Sequence, residues 1–318
     1  MSDTSVLAGR PVAGIVSLTS GLAFFAVQDA IVKTLVSDYS VLQILAMRSL
    51  TAVPLLIAIL SLTRGMQGFR TRHPRLHLLR AVFVLFAFLC YYIAVSRLPL
   101  VDVVALFSAA PLFITALARL VLGEAVGPRR WAAVAVGFIG VLIMLRPGTD
   151  VFDPVAIFGL VAALSYSCSA LIARHIGPGE PSAFMALVST SSFLIVCGLG
   201  VVIVSLVQPA FDPTSGIAPI IKPYAVAEGR DLIAMLLLGL VTLSGFMLVP
   251  RAYQIAPASV VTPFEYTYLL WALMIGIVFF DETPTTSTLA GAALVVASGI
   301  YIARREATLA RQKRPSAT

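Results

Sequence analysis

Few side chains in this chain are equipped for chemistry, and most of those lie within apolar runs. Asp29, Lys33, Arg48, Asp102 and Glu265 are ionisable residues in such surroundings. A charge near a bilayer centre costs about 2.5–3.5 kcal/mol, so an ionisable group held there needs a partner, a water-filled cavity or a function. Glu265 falls about a third of the way through its run, with Phe264 beside it and Tyr268 and Trp271 following. At roughly 100° per residue, these four share about 120° of one helical face. A carboxyl group beside aromatic rings suits an amine, a planar ring or a proton. The competing reading is a protonated acid bonded to a neighbouring helix, with core aromatics around it. Asp29 and Lys33 are four residues apart and share a face, and Arg48 is expected at similar depth on the next helix. Two readings stand for these three: ion pairs that hold helices together, or an outer gate and counter-charge for a substrate. Gln28 is a pore-facing candidate. Tyr91, Tyr166 (among Ser165, Ser167 and Ser169) and Ser244 (beside Gly245) are cavity candidates. Asp102, at a helix start, is expected to act as a cap.

Several chemistries find no residues here. His73, His77 and His175 are expected in cytoplasmic loops, and Cys90, Cys168 and Cys197 fall inside apolar runs without metal-ligand spacing. No phosphate loop, dinucleotide fingerprint or nucleophile elbow occurs. The sequence therefore predicts no cofactor, no metal, no catalytic residue and no coupling to ATP hydrolysis.

The elements that must position the candidates are membrane helices. Hydrophobic residues make up 59% of the 318 and charged residues 12%, against roughly 25% charged in a soluble domain. Runs near the about 20 residues needed to cross hydrocarbon recur along the chain. They predict ten spans: Pro11–Val32, Val41–Leu62, Leu76–Val95, Leu100–Leu122, Arg130–Leu145, Pro154–Ala173, Ser182–Val207, Leu232–Val249, Ala258–Phe280 and Thr286–Ile302. The first is read as an uncleaved helix. With the N-terminus in the cytoplasm, 16 Lys and Arg lie inside, 5 outside and one, Arg48, within a span. That bias places both termini in the cytoplasm, so the formal charge of +7 reports membrane orientation, not nucleic-acid binding. A long loop near 208–230 falls outside.

The chain also repeats itself. Shifted by 158 residues, Ala94 meets Ala252, Pro99 meets Pro257, Val103 meets Val261, Leu112 meets Leu270, Glu124 meets Glu282, Ala132 meets Ala290 and Arg146 meets Arg304. Each half, 1–148 and 149–318, holds five spans. Five is odd, so the second half enters the membrane from the opposite side. The fold class expected is an all-α integral membrane protein of ten transmembrane helices in two five-helix inverted repeats, with substrate held near the midplane between them.

Certain stretches carry a resemblance. Phe24–Lys33 closes the first helix with an acid and a lysine, Ala46-Met47-Arg48-Ser49 places an arginine in the second, and Ala110-Pro111-Leu112 leads to Leu122-Gly123-Glu124. The ninth helix has Pro263-Phe264-Glu265-Tyr266-Thr267 and Trp271-Ala272, and ends Phe280-Asp281-Glu282. These resemble the EamA-type branch of the drug/metabolite transporter superfamily over nearly the whole chain. Asp281 departs from it, standing where a glycine is more usual. The resemblance implies a secondary transporter of a small organic metabolite in a bacterial inner membrane, working as a monomer or homodimer. Export of amino acids or similar metabolites is the first expectation. Import of riboflavin or a nucleoside-like compound is the alternative, and an intramembrane enzyme or a scaffold represents other classes.

Overall fold

The computed structural model describes residues 11–122, 127–146, 153–176, 180–207, 212, 215, 217–255 and 262–312. Among them every regular element is helical. In chain order the α-helices are α1 (Pro11–Leu35), α2 (Val41–Arg64), α3 (Pro74–Val95), α4 (Leu100–Phe107), α5 (Ala110–Leu122), α6 (Pro128–Leu145), α7 (Ala156–Ile176), α8 (Ser182–Ser192), α9 (Gly198–Val207), α10 (Ala218–Ile221), α11 (Gly229–Ile255), α12 (Thr267–Phe280) and α13 (Thr286–Gln312). Seven described stretches are long and apolar enough to cross a bilayer, and Trp131–Leu145, Phe264–Phe280 and Thr286–Ile302 are shorter apolar helices. Together they form the ten spans. Glu124, Pro257, Val261, Lys313 and Arg314, with parts of the 208–230 loop, lie outside the described residues.

Three spans depart from a plain helix, each for a local reason. The fourth breaks at Ser108 and Ala109, between α4 and α5. Pro111 has no amide hydrogen, and its ring crowds the carbonyl four residues back. Ser167 of α7 donates 3.0 Å to the Ala110 carbonyl beside the break. The seventh joins α8 to α9 through a π-helical turn at Phe193–Cys197, a feature common at functional sites. The ninth opens with a 3-10 turn, Thr262–Tyr266, before α12. Glu265 therefore sits in a tight turn, so its face cannot be projected along an ideal α-helix to Tyr268 and Trp271. The tenth runs past its expected end, with the basic residues 304–311 continuing α13.

Helix packing displays the inverted repeat. Span 1 (α1) lies along span 8 (α11), and span 6 (α7) lies along span 3 (α3). Span 2 touches span 8 as span 7 touches span 3, and span 1 touches span 9 as span 6 touches span 4. Each of these pairings has its counterpart after exchange of the halves, as expected for a pseudo-two-fold axis in the membrane plane. Hydrogen bonds follow the same rule: Ser17 of α1 donates to the Leu248 carbonyl of α11, and Ser165 of α7 to the Phe83 carbonyl of α3, each at 2.9 Å. The fifth and tenth spans pack on each other. A Cβ at Gly140 would lie 2.6 Å from the Gly291 carbonyl oxygen, and one at Gly291 would collide with the Gly140 carbonyl, so this crossing depends on both glycines.

Asp281 closes α12 with φ 52°. That left-handed geometry explains why glycine is the usual residue there, and aspartate tolerates it better than branched residues do. Asp281→Gly is expected to leave thermal stability unchanged or raised. Asp281→Val should lower it by about 1–2 kcal/mol, readable by thermal unfolding in detergent; equal stability of the two variants would show that this cap is unstrained.

Candidate functional site

The buried polar centre is Asp29, which is 2% exposed. Tyr91 donates to Oδ2 at 2.9 Å and Tyr92 to Oδ1 at 3.2 Å, both from the end of α3. Tyr268 of α12 also donates to Oδ2. Gln28 approaches Oδ1 at 3.5 Å, donates to the Tyr92 hydroxyl at 2.7 Å and accepts from Thr242 of α11 at 2.5 Å. The cage thus draws α1 and α3 from one half and α11 and α12 from the other. The hydroxyls of Tyr91 and Tyr268 are 3.1 Å apart; with one proton each, both already pointing to Asp29, they have none left for one another. Among the described residues no Lys or Arg bonds to Asp29.

A row of rings leads away from this cage. Tyr92 meets Tyr91 at 5.5 Å between centroids, Tyr91 meets Phe107 of α4 at 5.4 Å, and Phe107 meets Tyr166 of α7 at 5.3 Å. The row runs from the buried interior to Tyr166, which is 37% exposed. Trp271 packs against the same core, and its buried indole N–H has no partner among the described residues.

Arg48 is 1% exposed. Its guanidinium carbon is 4.9 Å from the Phe88 ring centre, 5.0 Å from Phe193 and 6.0 Å from Tyr92. Its terminal nitrogens have no hydrogen-bond partner among the described residues. The π-turn that begins at Phe193 supplies one wall of this aromatic box.

The three residues expected to cluster are therefore parted. Lys33 pairs with Glu282, and it donates 2.9 Å to the Leu98 carbonyl. Asp29 lies one turn deeper and faces tyrosines, while Arg48 faces rings. Sharing a helical face did not make Asp29 and Lys33 partners, because the longer chain finds an acid at the end of α12. Glu282 also accepts from the Leu100 amide at 2.8 Å, capping α4 from another helix; Asp102, the expected cap, instead accepts from Thr288 at 2.7 Å. Ser244 donates to its own helix at Leu240 and does not join the cage. Thr242, two residues earlier, does; its only sequence signal is a hydroxyl in the same apolar run. Tyr92 and Phe107 were likewise unselected.

A polar clamp joins elements at each end of the bundle. At one end Glu180 accepts from the Thr71 hydroxyl at 2.7 Å and the Arg72 amide at 2.9 Å, and meets His77 Nε2 at 2.6 Å. His77 is buried in the first turn of α3, not in a loop as expected. At the other end Tyr39 donates to Asp231 at 2.9 Å, and Lys222 donates to the carbonyls of Val36 and Ser37. Burial pushes the Glu180 carboxyl up, but hydrogen bonds from Thr71, Arg72 and His77 outweigh it and hold its pKa below the ordinary value. A carboxyl whose pKa is depressed in the folded state stabilises it above the unfolded pKa, and that stability is lost as pH falls through the folded pKa. Cysteine labelling near Thr71 should therefore rise below about pH 4.5, whereas Glu180→Gln should label readily and without pH dependence. Labelling of wild type that is flat with pH would remove Glu180 from the clamp.

Inverted five-helix halves closing over a shared polar centre define a membrane transporter. The EamA-like transporter family model matches residues 12–146 and again 154–304. The chain belongs to that family, whose fold is a ten-helix membrane bundle. It is similar to a riboflavin transporter of Rhizobium johnstonii, with 31% identity covering 79% of this chain and 77% of that protein. A riboflavin transporter of Vibrio cholerae is 27% identical over 93% and 94% of the two chains. An S-adenosylmethionine uptake transporter of Rickettsia prowazekii is 25% identical over 75% and 74%. A protein of known crystal structure matches with a TM-score of 0.59 at 18% identity, covering 96% of this chain and 99% of that one; it supports the fold alone. The chain is thus a membrane transporter of small metabolites, not an enzyme.

Proposed function

We propose that this chain takes up a planar heteroaromatic metabolite of the riboflavin class by alternating access. The observation that carries the reading is the row Tyr92–Tyr91–Phe107–Tyr166, with Asp29 at one end, at the seam between the halves. Rings at this spacing offer faces and edges to a flat substrate, and the Asp29 carboxyl group and Trp271 offer polar contacts at its rim. Two similar proteins named for riboflavin support the choice. The site is assigned to Gln28, Asp29, Tyr91, Tyr92, Tyr166, Glu265, Tyr268 and Trp271, with Lys33 and Glu282 as an outer gate. The arginine bias supports an inner-membrane protein with both termini cytoplasmic, divided into halves 1–148 and 149–318.

Export of amino acids is the second reading, favoured by Asp29, since a buried carboxylate suits an ammonium group. Proteoliposomes presented with labelled riboflavin, S-adenosylmethionine and aromatic amino acids decide between them. Saturable riboflavin uptake, competed by other flavins, is expected. Efflux of preloaded amino acids without flavin uptake would replace the first reading with the second.

A further inference from the structure

A second cavity lies far from the aromatic row. It has a volume of about 480 Å³ and is lined by Arg64, Gln67, Gly68, Arg70, Arg72, His73, Ile176, Glu180 and Pro181. These residues come from the end of α2, the 3-10 turn Gly65–Phe69, the loop before α3 and the connection from α7 to α8. Transport as described above uses none of the three arginines.

We propose that this cavity binds a phosphate-bearing anion. The lining carries three guanidinium groups and one acid. That acid, Glu180, already accepts from Thr71, the Arg72 amide and His77, so its charge is engaged within the wall. Among the described residues no hydrogen bond or ion pair engages the side chains of Arg64, Arg70 and Arg72, all exposed, and the three residues border one small space. Guanidinium matches phosphate through paired hydrogen bonds. The Gly65 turn, with φ 56°, folds the chain after α2 back so that Arg64 and Arg70 border the same space. Beside the cavity, Leu62 is 87% exposed and Met66 81% exposed. These apolar side chains next to a basic pocket fit a phospholipid, headgroup in the cavity and acyl chains along α2; basic pockets between membrane helices bind such headgroups. A free phosphate ester would use the same arginines without the apolar flank.

The test needs no transport substrate, so its outcome is separable from that of the proposed function. Delipidated full-length protein in detergent is titrated with phosphatidylglycerol, cardiolipin and zwitterionic phosphatidylcholine, and separately with inorganic phosphate and glycerol 3-phosphate. Adducts are read by native mass spectrometry and affinity by the shift in thermal unfolding. Arg64→Gln/Arg70→Gln/Arg72→Gln is expected to bind roughly 100- to 200-fold more weakly, at about 1 kcal/mol per arginine. The matching triple lysine variant, which keeps the charge but not the paired hydrogen bonds, should bind between wild type and the glutamine triple, and Arg304→Gln/Arg305→Gln, which lowers charge elsewhere, should bind as wild type. Saturation by the anionic lipids alone identifies a lipid headgroup; saturation by glycerol 3-phosphate or inorganic phosphate identifies a free ester or ion. Equal binding by wild type and the glutamine triple, equal loss in the Arg304/Arg305 control, or no binding of any phosphate compound would overturn the proposal.

Discussion

Asp29→Asn is expected to fold, reach the membrane and lose most of its transport. The substitution preserves size, but it replaces one carboxylate oxygen with an NH2 group. That group faces hydroxyls of Tyr91 and Tyr268 that both donate to Oδ2, or the Tyr92 donor at Oδ1. Whichever way the amide turns, at least one donor meets a donor, and a hydroxyl must rotate away. A hydrogen bond to a charged group contributes about 1.5–3 kcal/mol, so initial uptake rate should fall roughly 10- to 100-fold. Tyr268→Phe, which deletes a hydroxyl from the other half, should cost less alone. Combined with Asp29→Asn it should add little, since residues in one hydrogen-bonded cluster couple. Wild-type uptake by well-folded Asp29→Asn would make the cage a packing device and remove it from the site.

The second large effect concerns Arg48. Arg48→Ala removes one of the largest fully buried side chains, leaving a void between Phe88, Tyr92 and Phe193. A loss of about 2–5 kcal/mol in stability is expected from the cavity alone, with poor recovery from the membrane. Arg48→Met fills most of that volume. Because no acid bonds to the guanidinium among the described residues, methionine breaks no ion pair, and replacing a buried charge with an apolar side chain is often neutral or stabilising. Arg48→Met should therefore be recovered at wild-type yield. Yet its uptake should be low, because the positive charge one ring beyond Asp29, across Tyr92, is gone. Normal transport by Arg48→Met would reduce Arg48 to a space-filling role; unfolding of Arg48→Met would show that the charge itself holds the helices.

The contrast with the sequence-level expectation is instructive at Arg48 and Asp29. Apolar runs revealed the helices because hydrocarbon demands length and low charge, and the repeat showed through Pro99, Glu282 and Arg146 because turns and helix ends constrain residue type. Side-chain destinations follow from packing that no run length encodes. Asp29 reads as near the outer end of its helix, yet the tyrosines that meet it come from α3 and α12, and only the crossing of those helices brings them there. Lys33 and Glu282 are far apart in sequence, and nothing in the spacing of Asp29 and Lys33 signals the rival partner. Glu265 stands out in the sequence as an unusual acid, but the face drawn for it assumes an α-helix, and the 3-10 turn Thr262–Tyr266 changes the angle from residue to residue. The π-turn at Phe193–Cys197 left no sequence mark because its residues are ordinary helix-compatible apolar ones. Tyr91, Tyr166, Tyr268 and Trp271 were legible through a simpler fact: large rings with polar tips are conspicuous in runs of aliphatic residues.

The crossing of α6 and α13 at Gly140 and Gly291 joins the fifth span to the tenth, and exchange of the two halves maps that pair onto itself. On the proposed cycle, the halves swap shapes when the transporter turns from one side of the membrane to the other. A contact that maps onto itself looks the same in both facings and acts as a fulcrum, contributing nothing to the bias between them. The balance of populations then rests on whatever differs between the halves. Those differences include the Asp29 cage and the Arg48 box inside the bundle and polar contacts at the rims: Lys33 with Glu282 and Arg146 with Thr285 and Ser287 at one, Glu180 with Thr71 and His77 at the other. On that cycle, polar contacts weighed against one another across the thickness of the bilayer, together with the unpaired interior features, would set the resting facing.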